Sequence, residues 1–174
     1  MKKIFLLSII PFFLFSGDIV LPKSFRANFT QEITNPQKQK IVYLGKILYT
    51  SPSNIKWSYL SPTKKDVCSD TQEILIVDHD LEQVSAYLLD DGLDLIGLVK
   101  EAKPVRPTVY NAKYKENIYT LQVNQKGELS RVAYKDGLDN SVLIIFDNMR
   151  SSDKIINPQD MFCSYPSSYD IMEE

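Results

Sequence analysis

The amino-acid sequence predicts a mainly antiparallel β domain with one short helix laid against a face of its sheet. Three observations predict it. Apolar and polar residues alternate with a period of two along most of the chain. Turn-forming clusters join the alternating segments at short intervals. One central stretch, bounded by breakers, lacks the alternation. With 174 residues, 44% hydrophobic and 24% charged, the chain is long enough for one domain with its own core.

Met1, Lys2 and Lys3 give a cationic start, and Ile4 to Phe15 follow as a predominantly apolar run, too short to span a bilayer as a helix. Ser16, Gly17 and Asp18 then read as a cleavage zone. The expectation is a signal peptide over 1–16 and a single domain over 17–174, with no cysteine at the boundary to carry a lipid anchor. Loss of the leader removes two lysines and brings the formal net charge from −2 to −4. In an exported protein Cys68 and Cys163 admit one intramolecular bridge. Two unpaired core cysteines are the other reading.

The first strand is read over Phe25 to Ile33, where Phe25, Ala27, Phe29 and Ile33 alternate with Arg26, Asn28, Thr30 and Glu32. Ile41 to Thr50 is apolar on both sides, as expected of a strand covered on both faces. After the turn Ser51-Pro52-Ser53-Asn54, Ile55, Trp57 and Tyr59 mark a half-buried strand. Further strands are expected at Glu73 to Val77, Gln83 to Leu88, Asn117 to Val123, Leu129 to Tyr134 and Val142 to Asn148. The last three form a meander joined at Gly127 and Asp136-Gly137. A terminal strand is expected at Met161 to Tyr165. Gly92 to Ala102, between Asp91-Gly92 and Pro104, reads as the helix, apolar around most of its circumference.

Little in the chain proposes a reaction. One His and two Cys leave scant material for zinc, a Cys/His pair or a Ser-His-Asp triad. Asp78-His79-Asp80 brings a His beside carboxylates, but adjacent turn residues point apart, so no metal site is expected. Asp90, Asp91 and Asp94 suit a helix N-terminus, although an enzyme using them is one alternative. No glycine-rich phosphate cradle or nucleophile elbow is present. The charge balance, with a pI of about 5.5, disfavours nucleic-acid binding. The excess is in aromatic and aliphatic side chains on strands that enclose a helix of like character. These either fill an ordinary core or wall a cavity for an apolar ligand.

The strings FRANFTQEI, GKILYTSPSNIKWSY, EILIVD, DGLDNSVLIIFDN and FCSYPSSYDI, in this order, resemble segments of the LolA family of periplasmic outer-membrane lipoprotein carrier proteins. FRANFTQEI (Phe25 to Ile33) resembles the family's opening strand. GKILYTSPSNIKWSY resembles its hairpin, with Gly45, Pro52 and Trp57 at the matching positions. EILIVD, DGLDNSVLIIFDN and FCSYPSSYDI are similar to later segments, in order across the mature chain. The resemblance implies a curved antiparallel sheet, an unclosed β-barrel whose concave face is lidded by helix, with a cavity for the acyl chains of triacylated lipoproteins. It implies a monomeric periplasmic chaperone, not an enzyme, without cofactors. Its partners would be an inner-membrane ABC exporter and an outer-membrane acceptor, or the outer membrane directly. A sensor of the same fold that binds lipid or lipoprotein without transport is the alternative.

Hiding a sixteen-carbon chain from water is worth at most about 12 kcal/mol, at roughly 0.8 kcal/mol per methylene. A carrier must capture less than that to release its cargo. Strand parity places Phe25, Ala27, Phe29, Ile55, Trp57 and Tyr59 on the concave wall, and Leu95, Leu98 and Val99 on the lid. The family's Arg before the hairpin proline is Ser51 here, and Pro22 interrupts the short segment where family members carry an N-terminal helix. The lid latch is therefore expected to be weaker or built from other residues.

Overall fold

The computed structural model describes residues 19–70, 72–88, 95–114 and 116–172. The expected signal peptide and the acidic residues Asp90, Asp91 and Asp94 lie outside the described residues. Alternation along the first three strands becomes a meander of β1 (Ser24–Thr34), β2 (Lys40–Thr50) and β3 (Asn54–Ser61). It continues through β4 (Lys65–Ser69), β5 (Glu73–Asp78) and β6 (Gln83–Leu88). Helix α1 (Leu95–Glu101) follows, then β7 (Lys103–Arg106), β8 (Val109–Tyr114), β9 (Asn117–Val123), β10 (Leu129–Lys135) and β11 (Ser141–Ser152). The chain ends in a one-turn helix α2 (Pro158–Met161) and β12 (Asp170–Met172).

Among the described residues these strands form one sheet in the order β12-β6-β5-β4-β3-β2-β1-β11-β10-β9-β8-β7. Every neighbouring pair is antiparallel except β12 with β6. The order has two ends, β12 and β7, so the barrel is unclosed.

Register carries the alternation from strand to strand. Ala27 faces Ile47, which faces Trp57, then Val67 and Ile76. Phe29 faces Phe146 on one side and Gly45 on the other. This row-by-row match builds one apolar concave face, and Leu95, Ile96, Leu98 and Val99 of α1 are buried against it. The described part of the helix is Leu95–Glu101; residues 92–94 of the expected 92–102 lie outside the described residues, and Ala102 follows the last turn.

The convex face has a smaller core of Val77, Val84 and Cys163, with Cys68, Leu75 and Tyr169 packed on it. Cys163 belongs to the C-terminal segment, which crosses the back of the sheet as a strap. Its fastenings are the Cys68–Cys163 disulfide, with Cα atoms 5.8 Å apart, and a hydrogen bond from Lys56 Nζ to the Phe162 carbonyl at 2.8 Å. Met161 to Tyr165 is therefore not a strand. Met161 and Cys163 are buried while Phe162 and Tyr165 are exposed, and ladder pairing resumes only at β12.

The strap also corrects the expectation that β2 is covered on both faces. Leu48 lies under it, whereas Val42 and Leu44 are 40% and 48% exposed. Strands β4, β7 and β8 were not foreseen from the alternation, because KDVCS and KPVR lack the period and β8 begins two residues after Pro107.

Candidate functional site

A glycine organises the centre of the concave face. A Cβ at Gly45 would collide with the Ser58 carbonyl oxygen and the Phe29 ring, so the missing side chain is what lets Phe29 lie across β2. From there Phe29 makes edge contacts with Trp57 and Tyr59, each with ring centres 5.0 Å apart and planes at 78°, a favoured aromatic geometry. Tyr43 adds a further edge contact to Tyr59 at 5.7 Å. The Tyr59 hydroxyl donates to Gln31 Oε1 at 3.0 Å.

These fixed rings stand at the wall of a cavity of about 380 Å³. Trp57, Tyr59, Val67, Ile74, Ile76 and Ile144 supply its apolar and aromatic lining. Gln31, Ser69, Tyr87 and Tyr134 supply polar atoms. The lining comes from seven strands, from β10 round to β6. Its volume falls in the range of small-molecule sites, about 300–1,000 Å³.

No lining residue is charged near neutral pH. Burial, then the neighbouring phenols of Tyr134 and Tyr43, push the Tyr59 hydroxyl well above the ordinary tyrosine range. Burial first, then Tyr119 and Asp136, push Tyr134 up to about 12.

The residues expected from strand parity divide into three groups. Trp57 and Tyr59 line the cavity. Phe25, Leu95 and Val99 meet Ile19, Leu21 and Met149 at a closed seam whose residual void is about 10 Å³, the space of a single water. Ala27, Phe29, Ile55 and Leu98 are buried in the concave core. Val67, Ile74, Ile76 and Ile144 line the cavity as well and are not among the residues expected from parity. Alternation in the sequence does not mark them; the register with Trp57 turns Val67 and Ile76 inward.

The turn at His79 lies apart from the cavity. Asp78 Oδ1 accepts from the backbone N–H of Asp80 and Leu81, and Asp80 accepts from that of Lys64. His79 instead lies 3.2 Å from the Tyr169 hydroxyl and 3.5 Å from Asp66, so the three residues point apart. Among the described residues no group of three or more His, Cys, Asp or Glu is placed to hold a metal ion.

An unclosed sheet walling an uncharged, mostly apolar cavity, with a buried helix packed on the same face, defines a half-barrel protein of the hydrophobic-cavity type. Comparison with known proteins specifies it further. The family model for outer membrane lipoprotein carrier protein LolA matches residues 22–95. The outer-membrane lipoprotein carrier protein of Campylobacter jejuni is 33% identical over 176 residues, 99% of either chain. That of Wolinella succinogenes is 31% identical over 147 residues, 83% of either chain. The chain belongs to the LolA family of outer-membrane lipoprotein carrier proteins. Among solved structures, an uncharacterized conserved protein from Thermus thermophilus aligns with a TM-score of 0.56 at 9% identity, covering 87% of this chain and 91% of that one. A LolA superfamily protein from Nitrosomonas europaea aligns at 0.53 and 13% identity, covering 83% and 93%. At such identities the likeness is one of fold.

Proposed function

We propose that this protein is a periplasmic chaperone that shelters the acyl chains of lipoproteins in the concave cavity and carries them from the inner to the outer membrane. The observation that carries the reading is the cavity of about 380 Å³ walled by Trp57, Tyr59, Val67, Ile74, Ile76 and Ile144. Family membership supports it. Carriage needs no covalent step and no cofactor, only differential shelter from water. The partners are triacylated lipoproteins, an inner-membrane ABC exporter that loads them, and an outer-membrane acceptor or the outer membrane itself. Residues 1–16 serve as the export leader.

Capacity follows from volume. A cavity of about 150 Å³ accommodates benzene, so this one holds roughly fifteen carbon atoms, or about one long acyl chain. The remaining chains of a triacylated cargo enter when α1 and the Ile19–Pro22 segment move off the sheet. Phe25, Leu95 and Val99 then become part of the lining, and Ala27, Phe29, Ile55 and Leu98 support it from behind.

Purified protein lacking residues 1–16 should take up a naphthalene-type dye whose fluorescence rises in apolar surroundings, and a triacylated lipopeptide should displace it. Trp57→Ala should weaken displacement about tenfold while the protein stays folded by circular dichroism. Absence of both uptake and displacement would refute the proposal. In cells, depletion should trap lipoproteins at the inner membrane, and an unchanged distribution would point to a sensor.

A further inference from the structure

One end of the cavity departs from the apolar pattern of the rest. Gln31 continues the inward series Phe25, Ala27, Phe29, so an amide stands where the alternation calls for a hydrocarbon. Placing an amide against an apolar wall is unfavourable unless its polar atoms are satisfied. The Tyr59 hydroxyl satisfies only the oxygen. That bond fixes which end of the amide faces Tyr59 and leaves the N–H donors of Gln31 without a protein acceptor among the described residues.

A second donor lies close by. Gln31 faces Ile144 across the β1–β11 ladder. Tyr134 faces Val142, the next inward residue on β11. Tyr134 also lines the cavity, and its hydroxyl has no hydrogen-bond acceptor among the described residues. The remaining polar lining residues, Ser69 and Tyr87, flank Ile74. Ser69 stands four residues along β4 from the partner of Tyr59, or roughly 13 Å. Between the two ends Trp57, Val67 and Ile76 offer apolar surface.

We propose that Gln31 and Tyr134 form a carbonyl-recognition end of the cavity, donating hydrogen bonds to the ester or amide oxygen of an acylated ligand whose hydrocarbon lies along Trp57, Val67 and Ile76. The inference rests on the reading above that the cavity holds acyl chains, and it adds orientation and selectivity. An apolar wall scarcely separates ligands of equal chain length. Paired donors disfavour one that lacks the acceptor.

The test uses palmitoyl-lysophosphatidylcholine and its hexadecyl ether analogue, which share head group and chain length and differ in the carbonyl. Each competes with the bound naphthalene dye on the mature protein. The ester should bind roughly tenfold more tightly than the ether, as expected for one to two hydrogen bonds. Gln31→Leu and Tyr134→Phe should each move that ratio toward one. The ratio is taken within each variant, so a partial loss of folded protein lowers both affinities and leaves it unchanged. Equal binding of ester and ether by the unaltered protein, or a preference that survives both substitutions, overturns the inference and leaves the carrier reading intact. Failure of the unaltered protein to take up dye removes the carrier reading and this inference with it.

Discussion

Gly45 shows how much one absent side chain settles. Its bare Cα admits the Phe29 ring, and that ring holds Trp57 and Tyr59 edge-on at the cavity wall. Gly45→Ala should therefore destabilise the fold by about 1–3 kcal/mol, the usual cost of overpacking, and weaken dye binding through the displaced Phe29. Denaturant unfolding beside dye titration would measure both, and unchanged values would deny Phe29 its bracing role. The cavity phenols offer a second measurement. Tyr59 and Tyr134 have hydroxyls raised by burial, so in an ultraviolet titration they should ionise after the exposed tyrosines. Unfolded tyrosine ionises near pH 10. The raised folded values contribute stability that is complete below pH 10 and is lost as pH rises toward and past 12.

At the scale of the element, α1 is held almost entirely by apolar contact. Leu95, Ile96 and Leu98 are each 1% exposed, yet the helix has only seven described residues, and a helix of that length is unstable alone. Truncating Leu98→Ala should cost about 2–5 kcal/mol in unfolding. If α1 leaves the sheet as cargo loads, the same change weakens the unloaded packing and should raise apparent affinity for a triacylated lipopeptide. Ile144→Ala, on the wall and not on the helix, should lower it. Equal losses of affinity in both variants would argue against helix movement.

The strands around this helix differed in how well the sequence revealed them. Phe25, Ala27 and Phe29 alternate with polar residues because β1 has a covered and a wetter face, and such a strand announces itself. Strand β5 does not. Ile74 and Ile76 face the cavity while Leu75 and Val77 face the strap, so the stretch from Ile74 to Val77 is apolar throughout and its parity could not be assigned to a face. Two of the six apolar residues of the cavity wall were hidden for that reason. Gln31 was passed over on the opposite ground, since a polar residue does not suggest an inward position. The tail from Met161 to Tyr165 has strand-like composition, but a bridge closed across 95 residues, not a ladder, decides its path.

For the molecule as a whole, that bridge ties the C-terminal strap to the back of the sheet, on the face opposite the cavity. Closing a loop of this length is worth about 4.7 kcal/mol in the chain-entropy model. Reduction, or Cys68→Ser with Cys163→Ser, should therefore lower the thermal midpoint markedly. Dye affinity at low temperature should stay near its original value, because neither cysteine lines the cavity. A parallel fall in affinity would mean that the strap shapes the concave side as well.

The two margins at β12 and β7 have a consequence for cargo. A closed cylinder has its radius set by strand number and stagger, and widening it requires breaking a ladder. Here no ladder joins the margins, so the sheet can uncurl like a loosened cuff while each rung of hydrogen bonding stays in place. Girth is thereby left to the contents, and one carrier can serve lipoproteins whose fatty tails differ in bulk.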